Sequence, residues 1–145
     1  MLRGLTTVTF YADRVEAAAA WYAEVLGIEP YFRKDVEGAA AYVEFRIGDY
    51  QHELGLLDRR YAPEGDAATT GVPGGAVVYW AVDDVDAAYR RLLALGATTH
   101  QPPRQQGPGF VTASVVDPFG NTLGVMFNQH YLSVLDDRTA AAAAG

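Results

Sequence analysis

Residues 78–96 of the chain, VYWAVDDVDAAYRRLLALG, repeat the plan of residues 8–27, VTFYADRVEAAAAWYAEVLG. Each stretch is a short β-branched and aromatic strand, an acidic turn, an amphipathic helix and a Leu-Gly stop. A shift of 70 positions pairs Val8 with Val78, Phe10 with Trp80, Asp13 with Asp83, Val15 with Val85 and Glu16 with Asp86; Gly27 and Gly96 match after a one-residue gap. Self-similarity of this kind constrains architecture more than any single segment does, because both copies must form the same supersecondary unit. It predicts two similar modules of about seventy residues each.

With 145 residues, 50% of them hydrophobic and 20% charged, the chain is long enough to bury a core without staples. It has no cysteine, so disulfides, thiolate nucleophiles and zinc-thiolate sites are excluded. No apolar run approaches membrane-spanning length and no basic-then-apolar leader opens the chain, so a cytoplasmic protein with no membrane partner is expected. A net charge of −7 opposes a phosphate-tracking surface and hence nucleic-acid binding. A neutral or cationic small ligand meets no such repulsion.

In the first module, residues 5–12 alternate Val8 and Phe10 against Thr7 and Thr9, the period-two pattern of a half-buried strand. Asp13 is placed to cap a helix over residues 15–26, whose apolar stripe is Val15, Ala18, Ala19, Tyr22, Val25 and Leu26, and Gly27 ends it. Three strand-like runs follow, over 29–34, 41–48 and 51–57, with a tight hairpin at Gly48-Asp49. Val43, Phe45, Ile47, Leu54 and Leu56 share the helix-side parity; Tyr42, Glu44, Arg46, Gln51 and Glu53 share the other. His52 has the parity of Leu54, so the helix side or an edge is expected for it.

Residues 58–75 have no sustained period and are rich in Gly and Pro, which reads as the connection between modules. The second module repeats the order. Residues 76–82 form a strand with Val77, Tyr79 and Ala81 away from the helix; Asp84 or Asp83 caps a helix over 85–95, and Gly96 ends it. The proline-bearing segment 98–109 can supply only an edge strand, since proline donates no ladder hydrogen bond. Strands over 110–116 and 122–127 flank a turn at Asp117-Pro118-Phe119-Gly120-Asn121. Trp21, Tyr22 and Trp80 follow the helix-facing, core pattern. In the tail, 128–145, a short helix over 131–135 and then a disordered end are expected.

The order strand, helix, three strands, twice over, together with TTVTFYADRVEAAAAWYAEVLGIEP, HELGLLD, VVYWAVDDVDAAYRRLLALGA and DPFGNTLGVM, resembles the vicinal oxygen chelate superfamily of glyoxalases, bleomycin-resistance proteins and extradiol dioxygenases. The resemblance implies an α+β fold: two βαβββ modules, 1–57 and 76–127, forming a curved mixed eight-stranded sheet around a cavity with helices outside. It also implies where metal-using members place their ligands, at the positions of Thr7, Glu53, Val77 and Gly124. Only Glu53 ligates well, and a divalent ion needs three or more donors, so no metal and no cofactor is expected. His52, His100 and His130 share no spacing that converges imidazoles, and nothing like a nucleophile elbow surrounds Ser114.

Strand parity and the repeat assign a ligand face to Thr7, Thr9, Tyr42, Glu44, Arg46, Gln51, Glu53, Val77, Tyr79, Thr112, Ser114, Gly124 and Met126. Aromatic rings, an arginine and two carboxylates among small residues suit stacking of a bulky, partly aromatic molecule fixed by a few hydrogen bonds. Closest in type is the metal-free bleomycin-resistance branch: a binding protein that sequesters an antibiotic or similar natural product. An alternative is a lyase, isomerase or dioxygenase with Glu53 as base or metal ligand. The resemblance further implies a homodimer that pairs module one of one chain with module two of the other.

Overall fold

The computed structural model describes residues 3–63 and 76–145. Its elements are β1 (Thr7–Ala12), α1 (Val15–Leu26), β2 (Phe32–Val36), β3 (Ala39–Ile47), β4 (His52–Asp58) and a 3-10 turn (Arg59–Tyr61), then β5 (Val78–Ala81), α2 (Val85–Ala94), β6 (Thr98–Gly107), β7 (Phe110–Val116), β8 (Thr122–Asn128) and α3 (Gln129–Ala143). The βαβββ order occurs twice, as the repeat requires. The eight strands make two four-stranded mixed sheets, ordered β1-β4-β3-β2 and β5-β8-β7-β6. The connection expected over 58–75 lies outside the described residues from 64 onward.

The chain divides into two units, whose described parts are 3–63 with Pro118–Asn121, and Ala76–Asp117 with Thr122–Gly145. In the first, β1 runs parallel to β4 while β3 is antiparallel to both β4 and β2. Val15, Ala18 and Tyr22 are the buried face of α1. They meet the alternate residues Phe10, Ala12, Val43, Phe45, Leu54 and Leu56, all buried. That alternation leaves the other parity of the sheet free to carry polar chemistry. Gly27, at φ 67, closes α1 in the left-handed conformation that favours glycine, and its N–H bonds Ala23 O.

In the second unit β5 is parallel to β8, and β7 is antiparallel to β8 and β6. Val85 and Leu92 of α2 are buried with Ala113, Val115, Leu123 and Val125. Asp84 is the cap, accepting from Ala87 N at 2.8 Å. The proline-bearing β6 is an edge strand, and its ladder with β7 breaks register three times.

Four local expectations are corrected. The N-cap of α1 is Arg14, with no side-chain cap bond; Asp13 instead pairs with Arg59 at 3.0 Å. The second strand begins at Phe32 and continues to Val36, turning at Glu37-Gly38, both with positive φ as a two-residue hairpin of this hand requires. The β3–β4 turn spans residues 48–51, longer than Gly48-Asp49, because Gln51 takes φ 53 and its N–H bonds Gly48 O. The tail is helical through Ala143: Asn128 accepts from the N–H groups of His130 and Tyr131, and the alanine run that follows has the highest helix propensity.

In the first sheet β1 is an edge strand, and Asn121 caps that edge. Its Oδ1 accepts from Tyr11 N–H at 3.0 Å and its Nδ2 donates to Tyr11 O at 2.9 Å. One side-chain amide thus supplies the donor and acceptor of one ladder rung. Asn121→Ala is expected to cost about 1 kcal/mol in urea unfolding, the low end of the range for an unpaired backbone group because these bonds are part-buried, and Asn121→Asp, which keeps the acceptor alone, to cost less than the full amount.

Candidate ligand-binding face

On the face of the first sheet away from α1, strand register sets three rows. The β1–β4 pairing puts Thr7 beside Glu53, and the β3–β4 pairing puts Arg46 on the other flank of Glu53. The next row is Thr9, Gly55, Glu44 and Phe32; the third is Tyr11, Leu57, Tyr42 and Lys34. Of the residues expected here, Thr7, Tyr42, Glu44, Arg46 and Glu53 form one contact network. Thr9 shares the face, exposed. Gln51 does not: it sits in the hairpin turn, where its Nε2 donates to Gly48 O at 2.8 Å.

Glu44 is the centre of the network. Only 9% exposed, its carboxylate accepts short hydrogen bonds from the hydroxyls of Tyr31 and Tyr42. The Tyr31 hydroxyl lies 3.0 Å from Glu53 Oε1 as well, so its single proton serves two carboxylates. Thr7 Oγ1 donates to Glu53 Oε2 at 2.9 Å, and Arg46 Nε stands 3.9 Å from Glu53 Oε1. The Arg46 guanidinium covers the Tyr31 ring at 4.0 Å. Phe32 and Tyr42 pack with ring centroids 6.2 Å apart.

Tyr31 precedes β2 and escaped the parity argument, which assigns faces only inside strands. Its anchor is the backbone: Tyr31 N–H donates to Glu44 O at 3.0 Å. Gly55 is required opposite Glu44, because a Cβ there would stand 2.7 and 2.8 Å from ring carbons of Tyr42.

These contacts set the proton affinities. The hydrogen bond to Glu44, then lost solvation, then Glu53, push Tyr31 from its ordinary 10.0 to about 12. Tyr42 is raised as well, first by burial and then by Glu44. Glu53 is held below the usual carboxylate range, first by the Thr7 hydroxyl, then by Tyr31, with Arg46 adding a smaller pull.

The second sheet carries a separate group. Ser114 lies opposite Gly124, Thr112 opposite Met126, and Tyr79 on the other flank of Gly124. The Tyr79 ring covers Gly124, where a Cβ would meet Cδ1 at 2.6 Å. Ser114, 1% exposed, bonds His100 Nδ1 at 2.8 Å, and Gln106 Nε2 donates to Thr112 Oγ1 at 2.8 Å. Ser114 sits mid-strand in a ladder, so His100 satisfies a buried hydroxyl and no nucleophile elbow exists. His100 and Gln106 belong to the register-broken β6, whose facing no simple alternation gives.

The residues do not fit the metal ion of metal-using relatives. The register of β5 with β8 sets Val78 opposite Leu123, so the position before each, Val77 and Thr122, corresponds to Thr7 and Glu53. The resemblance puts the fourth ligand position at Gly124, which has no donor side chain, and the repeat's own counterpart of Glu53, Thr122, offers only a hydroxyl. Of the positions the resemblance gives, Thr7, Glu53, Val77 and Gly124, only Glu53 carries a good ligand, and both its oxygens are already engaged. Among the described residues no three His, Cys, Asp or Glu side chains are grouped to hold an ion.

The chain belongs to the Glyoxalase/Bleomycin resistance protein/Dioxygenase superfamily, whose family model matches residues 4–125. Solved structures with the same fold include a glyoxalase-related enzyme from Fulvimarina pelagi, 24% identical, with a TM-score of 0.68 over 88% of this chain and 89% of that one. A lactoylglutathione lyase from Agrobacterium tumefaciens is 26% identical, with a TM-score of 0.62, covering 87% and 94%. A glyoxalase/bleomycin resistance protein from Catenulispora acidiphila DSM 44928 is 20% identical, with a TM-score of 0.56, covering 85% and 97%. No curated protein matches the chain by sequence. Among the described residues no helix is long and apolar enough to cross a membrane.

Ultraviolet titration checks the network. Tyr31 and Tyr42 should ionise well above the about 10 of an unfolded tyrosine. Because Tyr31 keeps its proton in the folded chain up to about 12, its contribution to stability is complete below pH 10 and is lost as pH rises toward 12. Glu53, with its folded value depressed, contributes above the ordinary 4.5 and loses that as pH falls through the folded value. Tyr31→Phe should make the alkaline limb shallower, with the part owed to Tyr42 remaining, and leave the acid limb's Thr7–Glu53 part in place.

Proposed function

We propose that this chain binds a bulky, partly aromatic small molecule and leaves it chemically unchanged, as the bleomycin-resistance branch of its superfamily does, without a metal or cofactor. The observation that carries this reading is the engagement of Glu53. It is the one carboxylate at the family's ligand positions, and its oxygens face Thr7 and Tyr31. A general base works best with a pKa near the operating pH, and Glu53 is pulled the other way. What the face offers instead is area: Tyr31 and Phe32 are each nearly half exposed, which supports stacking of a flat ligand. The same resemblance supports a homodimer.

A thermal-shift screen against natural-product antibiotics tests the proposal. A ligand at a hundred times its Kd should stabilise the chain by about 2.7 kcal/mol, and mass spectrometry should recover it unaltered at one per chain. Phe32→Ala should weaken the hit by about 0.5–1.5 kcal/mol beyond the lost area while moving the unfolding midpoint little, since the ring is 47% exposed. A turned-over ligand, or stoichiometric Fe, Mn, Ni or Zn in the purified protein, would return the chain to the enzymes of its superfamily.

A further inference from the structure

The hydroxyl groups of Thr7, Tyr31 and Tyr42 all aim their protons at Glu44 or Glu53. What the network presents outward is therefore the part-exposed, proton-free carboxylate of Glu53, its side chain 30% exposed, and the faces of tyrosine rings, both of which attract positive charge. One positive group already sits there. The Arg46 guanidinium lies on the Tyr31 ring at 4.0 Å and stands 3.9 Å from Glu53, too far for a hydrogen bond. Its side chain is 53% exposed, and among the described residues it donates no hydrogen bond to hold it. Lys34, opposite Tyr42 at the outer end of the face, makes no ion pair among the described residues.

We propose, building on the binding reading above, that the ligand carries an organic cation, an ammonium or guanidinium joined to a flat ring system, and that Arg46 is an internal stand-in which this cation displaces from Tyr31 and Glu53. Arg46 has the chemistry of what the site selects, loosely held at the place where the ligand's charge belongs. It lowers affinity for every cation and so demands that a true ligand add ring contacts, with Phe32 and Tyr31, that a bare cation lacks. A neutral ring leaves Arg46 in place; an anion would meet the Glu53 carboxylate.

The test uses the matched probes (1-naphthylmethyl)trimethylammonium and its neutral isostere 1-neopentylnaphthalene, titrated by calorimetry into the full chain. The wild type should prefer the cation. Arg46→Ala, at an exposed position, should tighten the cation about 3- to 10-fold, the scale of one cation–π contact regained, and leave the neutral probe unchanged. Arg46→Lys, a compact charge without the planar stack, should give a smaller gain, and Glu53→Gln should weaken the cation alone. Cation affinity that falls or holds steady in Arg46→Ala overturns the proposal, as does an equal gain for both probes, which would mean only that space was opened. A wild type that takes the neutral probe as well as the cation overturns it too, yet leaves the binding reading standing. Failure of both probes in every variant also overturns the cation proposal and leaves the binding reading to the antibiotic screen.

Discussion

A carboxylate placed on the pleat of a sheet with 9% of its surface exposed must be compensated, because a desolvated charge without partners costs several kcal/mol. Glu44 is that carboxylate, and much of the first face is arranged to meet its need. Two phenol protons answer it, one from the neighbouring position on its own strand and one from the residue before β2. Tyr42 must lean across the sheet to reach it, so the position beneath has to be Gly55. Tyr31 must be brought over the same carboxylate, and the backbone bond from Tyr31 N–H to Glu44 O does so. Once there, its hydroxyl is within reach of Glu53, and the two carboxylates share one network.

The second module shows how much of this is scaffold and how much is particular. Ser114 occupies the place of Glu44, opposite a glycine, and it too is buried and too polar to stand alone. Its partner is His100, from the irregular edge strand. Gly124 is again covered by a tyrosine, but from β5 instead of β7. The recurrent element is a glycine under an aromatic ring beside a buried polar side chain. The charge exists in one copy alone, so the two faces of a duplicated unit have diverged in what they can hold.

Period-two alternation was enough to assign five of the network's residues, because Thr7, Tyr42, Glu44, Arg46 and Glu53 lie inside regular strands where parity cannot slip. It failed where regularity stops. Gln51 has positive φ and turns away; Tyr31 lies before its strand; His100 and Gln106 lie on a strand whose register breaks. The N-cap of α1 is Arg14, and Asp13 pairs instead with Arg59, distant in sequence. Tyr31, His100 and Asp13 are held by contacts between residues far apart in the chain, and Gln51 by a turn bond to Gly48; period-two alternation contains neither.

The character of the site turns on what stands beside Glu53. The register of β1 with β4 fixes a neighbour at position 7 whatever that residue is. In metal-using relatives the family resemblance puts an imidazole there, a lone-pair donor, and lone pairs converging from several strands create a demand for a cation of high charge density. Here the neighbour is a threonine, which offers a proton. Thr7 and Tyr31 together reverse the demand: donors converge on the carboxylate, lower its basicity and hold it charged. A charged, weakly basic carboxylate is poor at taking a proton from a substrate and well suited to holding a soft, diffuse positive charge beside an aromatic ring. Whether the groups around one carboxylate carry lone pairs or protons thus decides what kind of positive charge that carboxylate favours.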